Sequence, residues 1–142
     1  MSSQIITGET LQFTDDNKHA YAYSGLYTSN TTAFEVLNFF SGEGYIVGEI
    51  QLNSATDDDS PTAVNVNSAN ILFNGISIAL LRAGTNGGVG YTDPSVSQKI
   101  IIPPRTTVSV MVDSNGTETD RYITIVFTGK VGMAPRVGNF NE

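Results

Sequence analysis

Two strand-forming runs meet across a proline pair in Ile100-Ile101-Ile102-Pro103-Pro104-Arg105-Thr106-Thr107-Val108-Ser109-Val110-Met111-Val112, and this junction restricts the fold more than any other stretch. Proline has no N–H to give to a ladder, so strand pairing must stop or jog at Pro103 and Pro104. Ahead of the corner, the isoleucine run predicts a β-branched strand buried on both faces. Beyond it, Val108, Val110 and Val112 alternate with Ser109 and Met111, which gives one mostly apolar face. A strand, a rigid corner and a second strand is how a chain passes from one sheet of a sandwich to the other.

The remaining segments fit sheets of that kind. From His19, residues Tyr21, Tyr23, Gly25 and Tyr27 fall on one face, with Ala20, Ala22, Ser24 and Leu26 on the other. Thr32 to Phe40 is the next strand, and in Tyr45 to Leu52 the residues Ile46, Gly48, Ile50 and Leu52 share a face. Asn53 to Pro61 is expected to be an exposed loop, and Val64 to Asn67 a short strand. Ile71-Leu72-Phe73 and the run from Ile76 to Leu81 are separated by Asn74-Gly75 alone. Both central residues of a type I′ turn need positive φ, which Asn-Gly supplies at least cost, so a hairpin is predicted there. Ala83 to Ser95 is the longest expected loop, and Tyr122 to Val131 the closing strand, with Ile123, Ile125, Phe127 and Val131 on one face. No stretch carries helical periodicity with caps. The expectation is one all-β domain over residues 1–142, a two-sheet antiparallel β-sandwich of jelly-roll form, with flexible or partner-ordered ends at about 1–8 and 132–142.

With no cysteine, the chain has neither disulfides nor thiolate chemistry. Its net charge is -7, and its Lys and Arg are scattered singly, so neither nucleic acid nor an anionic membrane is an expected partner. No apolar run reaches the ~20 residues of a membrane helix. Residues 1–8 show no basic region followed by an apolar one, so no Sec-type signal is expected.

Motifs that could carry chemistry are few. His19 is the one histidine; with no Gly-x-Ser-x-Gly in the chain it reads as a surface side chain rather than a triad member. The glycine-rich run from Gly84 to Gly90 is followed by turn sequence, not by the helix a phosphate cradle requires. Asp57, Asp58 and Asp59 form the one carboxylate cluster and are the candidate calcium ligands. Adjacent aspartates splay apart, however, so a solvated loop is the competing reading. Asp113 to Glu118 begins like an EF-hand loop, but its glycine comes too early and helices are missing; it reads as a turn. Tyr21, Tyr23 and Tyr27 could form a sugar-stacking platform, although tyrosine also suits ordinary half-buried sheet positions. Catalytic residues and cofactors are not expected.

The second half of the chain, with Ile-Ile-Ile-Pro-Pro-Arg-Thr-Thr-Val-Ser-Val at 100–110 and Tyr-Ile-Thr-Ile-Val-Phe-Thr-Gly-Lys-Val at 122–131, resembles small virion proteins. These include capsid decoration proteins and the head fibres or spikes of tailed phages and other viruses. Tyr23-Ser24-Gly25 and Gly44-Tyr45-Ile46-Val47 fit the same kind of chain. The resemblance implies a non-enzymatic accessory subunit, assembled in the host cytoplasm, that forms homo-oligomers, often trimers, and docks on a capsid protein. Ile5, Ile6, Met133, Val137 and Phe140 match no core strand and are the candidate partner-binding residues. The alternative from another class is a carbohydrate-binding sandwich module of an adhesion fibre, with a glycan as partner.

Overall fold

The computed structural model describes residues 11–28, 30–56, 65–85, 95–115 and 121–132. Alternating sequence becomes strand throughout: β1 (Gln12–Phe13), β2 (His19–Tyr23), β3 (Tyr27–Thr28), β4 (Phe34–Phe40), β5 (Tyr45–Thr56), β6 (Asn65–Phe73), β7 (Ile76–Thr85), β8 (Ser95–Ile102), β9 (Thr107–Ser114) and β10 (Arg121–Gly132). One sheet has the order β1-β2-β10-β5-β8, with β3 also paired to β10; the other runs β4-β9-β6-β7. All pairs are antiparallel.

These pairs are nested. β6 pairs with β7, β5 with β8, β4 with β9 and β2 with β10, as in one long hairpin. Its tip is Asn74-Gly75, where φ is 50° and 83°, the two positive values of the predicted I′ turn. Rolling that hairpin up brings β10 against β5 and β9 against β6, which is the jelly-roll wrapping.

The inward faces meet as the periodicity predicts. Ile46, Ile50, Leu52, Ile123, Ile125 and Phe127 from one sheet pack over Val36, Leu37, Ile71, Val108, Val110 and Val112 from the other, all fully buried. The rings of Phe39 and Phe127 meet between the sheets at 5.3 Å. A polar link joins the layers: Asn67 Nδ2 donates to the buried Ser54 Oγ at 2.6 Å.

The proline corner does carry the chain from one sheet to the other, from β8 to β9. It is clamped by the β4–β5 turn. The Ser41 hydroxyl donates to the Pro103 carbonyl at 2.8 Å, and the Arg105 N–H donates to the Gly42 carbonyl at 2.6 Å. Asn74, at the hairpin tip, joins the same end: its N–H donates to the Thr107 carbonyl, and its Oδ1 accepts the Thr107 N–H at 2.9 Å.

Several expectations are corrected. The isoleucine run is not buried on both faces: Ile100 and Ile102 are buried, but Ile101 is 64% exposed. β8 is an edge strand whose outer face has no covering layer among the described residues. Asn53 to Thr56 continues β5 rather than starting a loop, and Asn65 to Asn67 of the expected short strand run on through 71–73 as β6. In β4 the register shifts between Glu35 and Leu37, a bulge that turns Val36 and Leu37 both inward. The proposed tyrosine face also breaks. At Ser24 the hydroxyl accepts the Ile125 N–H at 2.8 Å, Gly25 turns with φ 83°, and the alternation loses phase. Tyr27 then lies opposite core residue Ile123 and packs on Phe34 at 5.5 Å, away from Tyr21 and Tyr23.

Candidate functional site

Register partners share a face, so the outward side chains of the larger sheet form cross-strand rows. In one row His19 is opposite Lys130, Lys130 opposite Val47 and Val47 opposite Ile101. In the next, Tyr21 is opposite Thr128, Thr128 opposite Glu49 and Glu49 opposite Lys99. Along the middle β10 presents Thr128 and Lys130 outward, with the backbone of Gly129 between them. Tyr21 and Tyr23 stand on one side, and Val47, Glu49 and Lys99 on the other. The result is an open, mainly apolar groove of about 620 Å³.

A close approach of strands fixes its floor. Gly48 and Gly129 are direct partners in β5 and β10. A Cβ on Gly48 would collide with the Thr128 carbonyl, and one on Gly129 would come within 2.7 Å of Ile46 Cγ2. The side wall is pre-set as well, with the Tyr21 and Tyr23 rings in contact at 5.2 Å and tilted by 35°. Tyr23 is 47% exposed and Tyr21 half-buried.

The rim is cationic although the chain is acidic. His19, Lys99 and Lys130 line the groove with a single carboxylate, Glu49. The ion pair formed among the described residues lies elsewhere, between Arg105 and Glu43 at 2.9 Å. There the Arg105 hydrogen bond and charge hold the Glu43 carboxyl below its ordinary value. Next to His19, in the β1–β2 turn, the Thr14 hydroxyl and the Lys18 N–H do the same for Asp16.

Of the sequence candidates, Tyr21, Tyr23 and His19 come together at the groove, and Tyr27 does not join them. Among the described residues, no three His, Asp or Glu side chains are grouped as a metal site would need. Asp57, Asp58 and Asp59 lie outside the described residues, as do Ile5, Ile6, Met133, Val137 and Phe140. Sequence reasoning missed Lys99, Lys130, Glu49 and Thr128. Alternation puts each on an outward face, but only the register shows that they neighbour the tyrosines.

A second surface lies on the edge of the smaller sheet. Along β7, Ile76, Ile78 and Leu80 are 70%, 45% and 54% exposed.

No family model matches this chain, and no curated protein matches it. Among solved structures it is similar to a chain of the T13 viral particle of infectious bursal disease virus, at 12% identity and a TM-score of 0.45, over 80% of this chain and 37% of that one. It is similar to the VP2 subviral particle of the same virus at 11% identity and a TM-score of 0.39, over 82% of this chain and 38% of that one. Dimeric latent PorU from Porphyromonas gingivalis overlaps at 7% identity and a TM-score of 0.45, over 79% of this chain and 11% of that one. The chain thus spans well under two thirds of the length of each of these structures.

Proposed function

We propose that this protein is a non-enzymatic structural subunit of a virion, an accessory or decoration component that acts by forming homo-oligomers and docking on a capsid. The observation that carries the reading is the edge strand β7. Exposed sheet edges offer unpaired backbone groups to other chains, and proteins that stay monomeric blunt them with charge, proline or bulges. Here the edge has one charge, at Arg82, and a bulge at Ile78, yet Ile76, Ile78 and Leu80 stay exposed, so these apolar side chains rather than an open ladder are what a partner would cover. Each such side chain, fully buried at an interface, is worth about 1.5–3 kcal/mol. The jelly-roll wrapping and the likeness of residues 100–110 and 122–131 to small virion proteins support the same reading, as analogy.

The assembly is proposed to be a trimer. Ile5, Ile6, Met133, Val137 and Phe140 are proposed to anchor the end segments on neighbouring subunits or on the shell. Sedimentation of the full chain, alone and with capsids, tests this. Wild type should sediment as an oligomer, and Ile78→Lys or Leu80→Lys should shift it to monomer without loss of the far-UV spectrum. A wild-type monomer at all concentrations that also fails to co-sediment with capsids would overturn the proposal.

A further inference from the structure

We propose that the groove over β2, β10, β5 and β8 is a binding site for an anionic saccharide. A sugar ring would stack on the Tyr21–Tyr23 wall, and its acidic group would meet Lys130 and Lys99 on the rim. This inference does not rest on the virion reading, since the site is complete within one chain.

The shape comes first. Small-molecule sites occupy roughly 300–1,000 Å³, and this groove, at about 620 Å³, lies inside that range. It is open along the sheet, which suits an oligosaccharide better than a compact ligand. Tyrosine gives a broad apolar ring with a polar tip at low conformational cost, and the contact between Tyr21 and Tyr23 orders both rings beforehand. The Thr128 hydroxyl and the Glu49 carboxylate lie across from them, as partners for sugar hydroxyls.

Charge then selects the ligand. A chain of net charge -7 repels anions at long range. Beyond about 8 Å that field is screened at physiological salt, so the local charges decide what binds. Locally Lys99 and Lys130 outnumber Glu49. Neither Lys99 nor Lys130 forms an ion pair among the described residues, even though Glu49 is the direct register partner of Lys99. Two ammonium groups with no ion pair among the described residues, beside an aromatic wall, fit a sugar bearing a carboxylate or a sulfate. A neutral apolar ligand would leave both unused.

The test titrates the full chain with sialyllactose, sulfated lactose and unmodified lactose, followed by amide chemical shifts. The acidic sugars should perturb residues 19–23, 47–49 and 128–130, and should bind at least about tenfold more tightly than lactose. The two acidic probes distinguish a carboxylate from a sulfate as the preferred group. Tyr23→Ala should lower affinity by about tenfold, and Tyr23→Phe should keep it. Lys99→Gln with Lys130→Gln should abolish the preference for acidic sugars while the melting temperature stays unchanged. The proposal is overturned if no acidic sugar shifts these residues, or if lactose binds as well as the acidic probes. It is also overturned if deleting residues 133–142 is what opens the groove to shift changes, since the occupant would then be the chain's own tail.

Discussion

Ser41 and Thr106, far apart in sequence, exchange two hydrogen bonds at the end of the sandwich. The Ser41 N–H donates to the Thr106 carbonyl at 2.9 Å, and the Thr106 N–H donates to the Ser41 hydroxyl oxygen at 2.9 Å. Both residues are buried, and the same hydroxyl donates to the Pro103 carbonyl, so one oxygen satisfies backbone groups on either side of the proline corner. Ser41→Ala would leave the Thr106 N–H buried without its partner. We expect a loss of about 1–3 kcal/mol in urea unfolding, the usual cost of an orphaned buried group. A loss below ~0.5 kcal/mol would show that water replaces the hydroxyl.

Glycine substitutions should separate two kinds of strain. At Gly48 an added methyl group meets backbone and the Phe127 ring, and overpacking of that sort costs about 1–3 kcal/mol or more. At Gly75 there is open space and only the positive φ resists, at roughly 1–2 kcal/mol. Gly48→Ala should therefore lower the melting temperature more than Gly75→Ala, and should also alter the groove floor.

The Glu43–Arg105 pair sets a small acid dependence. Its hydrogen bonds depress the Glu43 pKa, so the folded state binds that proton less readily than the unfolded chain does. The contribution is present above the ordinary glutamate value of about 4.3 and is lost as pH falls through the lower folded value. Both side chains are about three-quarters exposed, so solvent screens the effect. Melting temperature against pH should fall slightly less steeply below pH ~4 in Glu43→Gln than in wild type. Identical acid limbs would mean the pair contributes nothing.

Chelation should leave folding unchanged. Aliphatic and aromatic side chains from both sheets close the core without an ion. Melting curves with and without chelator should coincide; a large drop would point to Asp57, Asp58 and Asp59 as calcium ligands.

Deleting residues 133–142 should leave the melting of the sandwich nearly unaltered while weakening oligomer or capsid association. Ordering a segment costs ~1–2 kcal/mol per residue, so only a tail anchored by several apolar side chains gains from docking. Equal capsid binding by the deleted chain would remove Met133, Val137 and Phe140 from any such role.

Much of this architecture is legible from neighbouring residues. Asn74-Gly75 announces its turn, Val108, Val110 and Val112 their inward face, and Pro103-Pro104 the crossing between sheets, because each is a local steric or periodic constraint. What escapes is set elsewhere. Ile101 is exposed because it lies on the outer face of the larger sheet, as its partner Val47 does, and no layer covers that face among the described residues, which the isoleucine run itself does not reveal. Tyr27 leaves the tyrosine face because a serine hydroxyl takes over a ladder bond and Gly25 shifts the phase. The groove was half visible for the same reason: Tyr21 and Tyr23 are close in sequence, whereas Lys99, Glu49 and Lys130 join them only through strand register.

The nested pairing also has a consequence for synthesis. β10, the last described strand to leave the ribosome, lies in the interior of its sheet, between β2 and β3 on one side and β5 on the other. Until it emerges, the inward face of Ile46, Ile50 and Leu52 has no neighbour on that side, and β2 and β3 have no sheet to join. The innermost hairpin can form early, but the larger layer assembles around its final strand. A chain interrupted before residue 121 would expose an open apolar sheet, the kind of surface that recruits chaperones or other nascent chains.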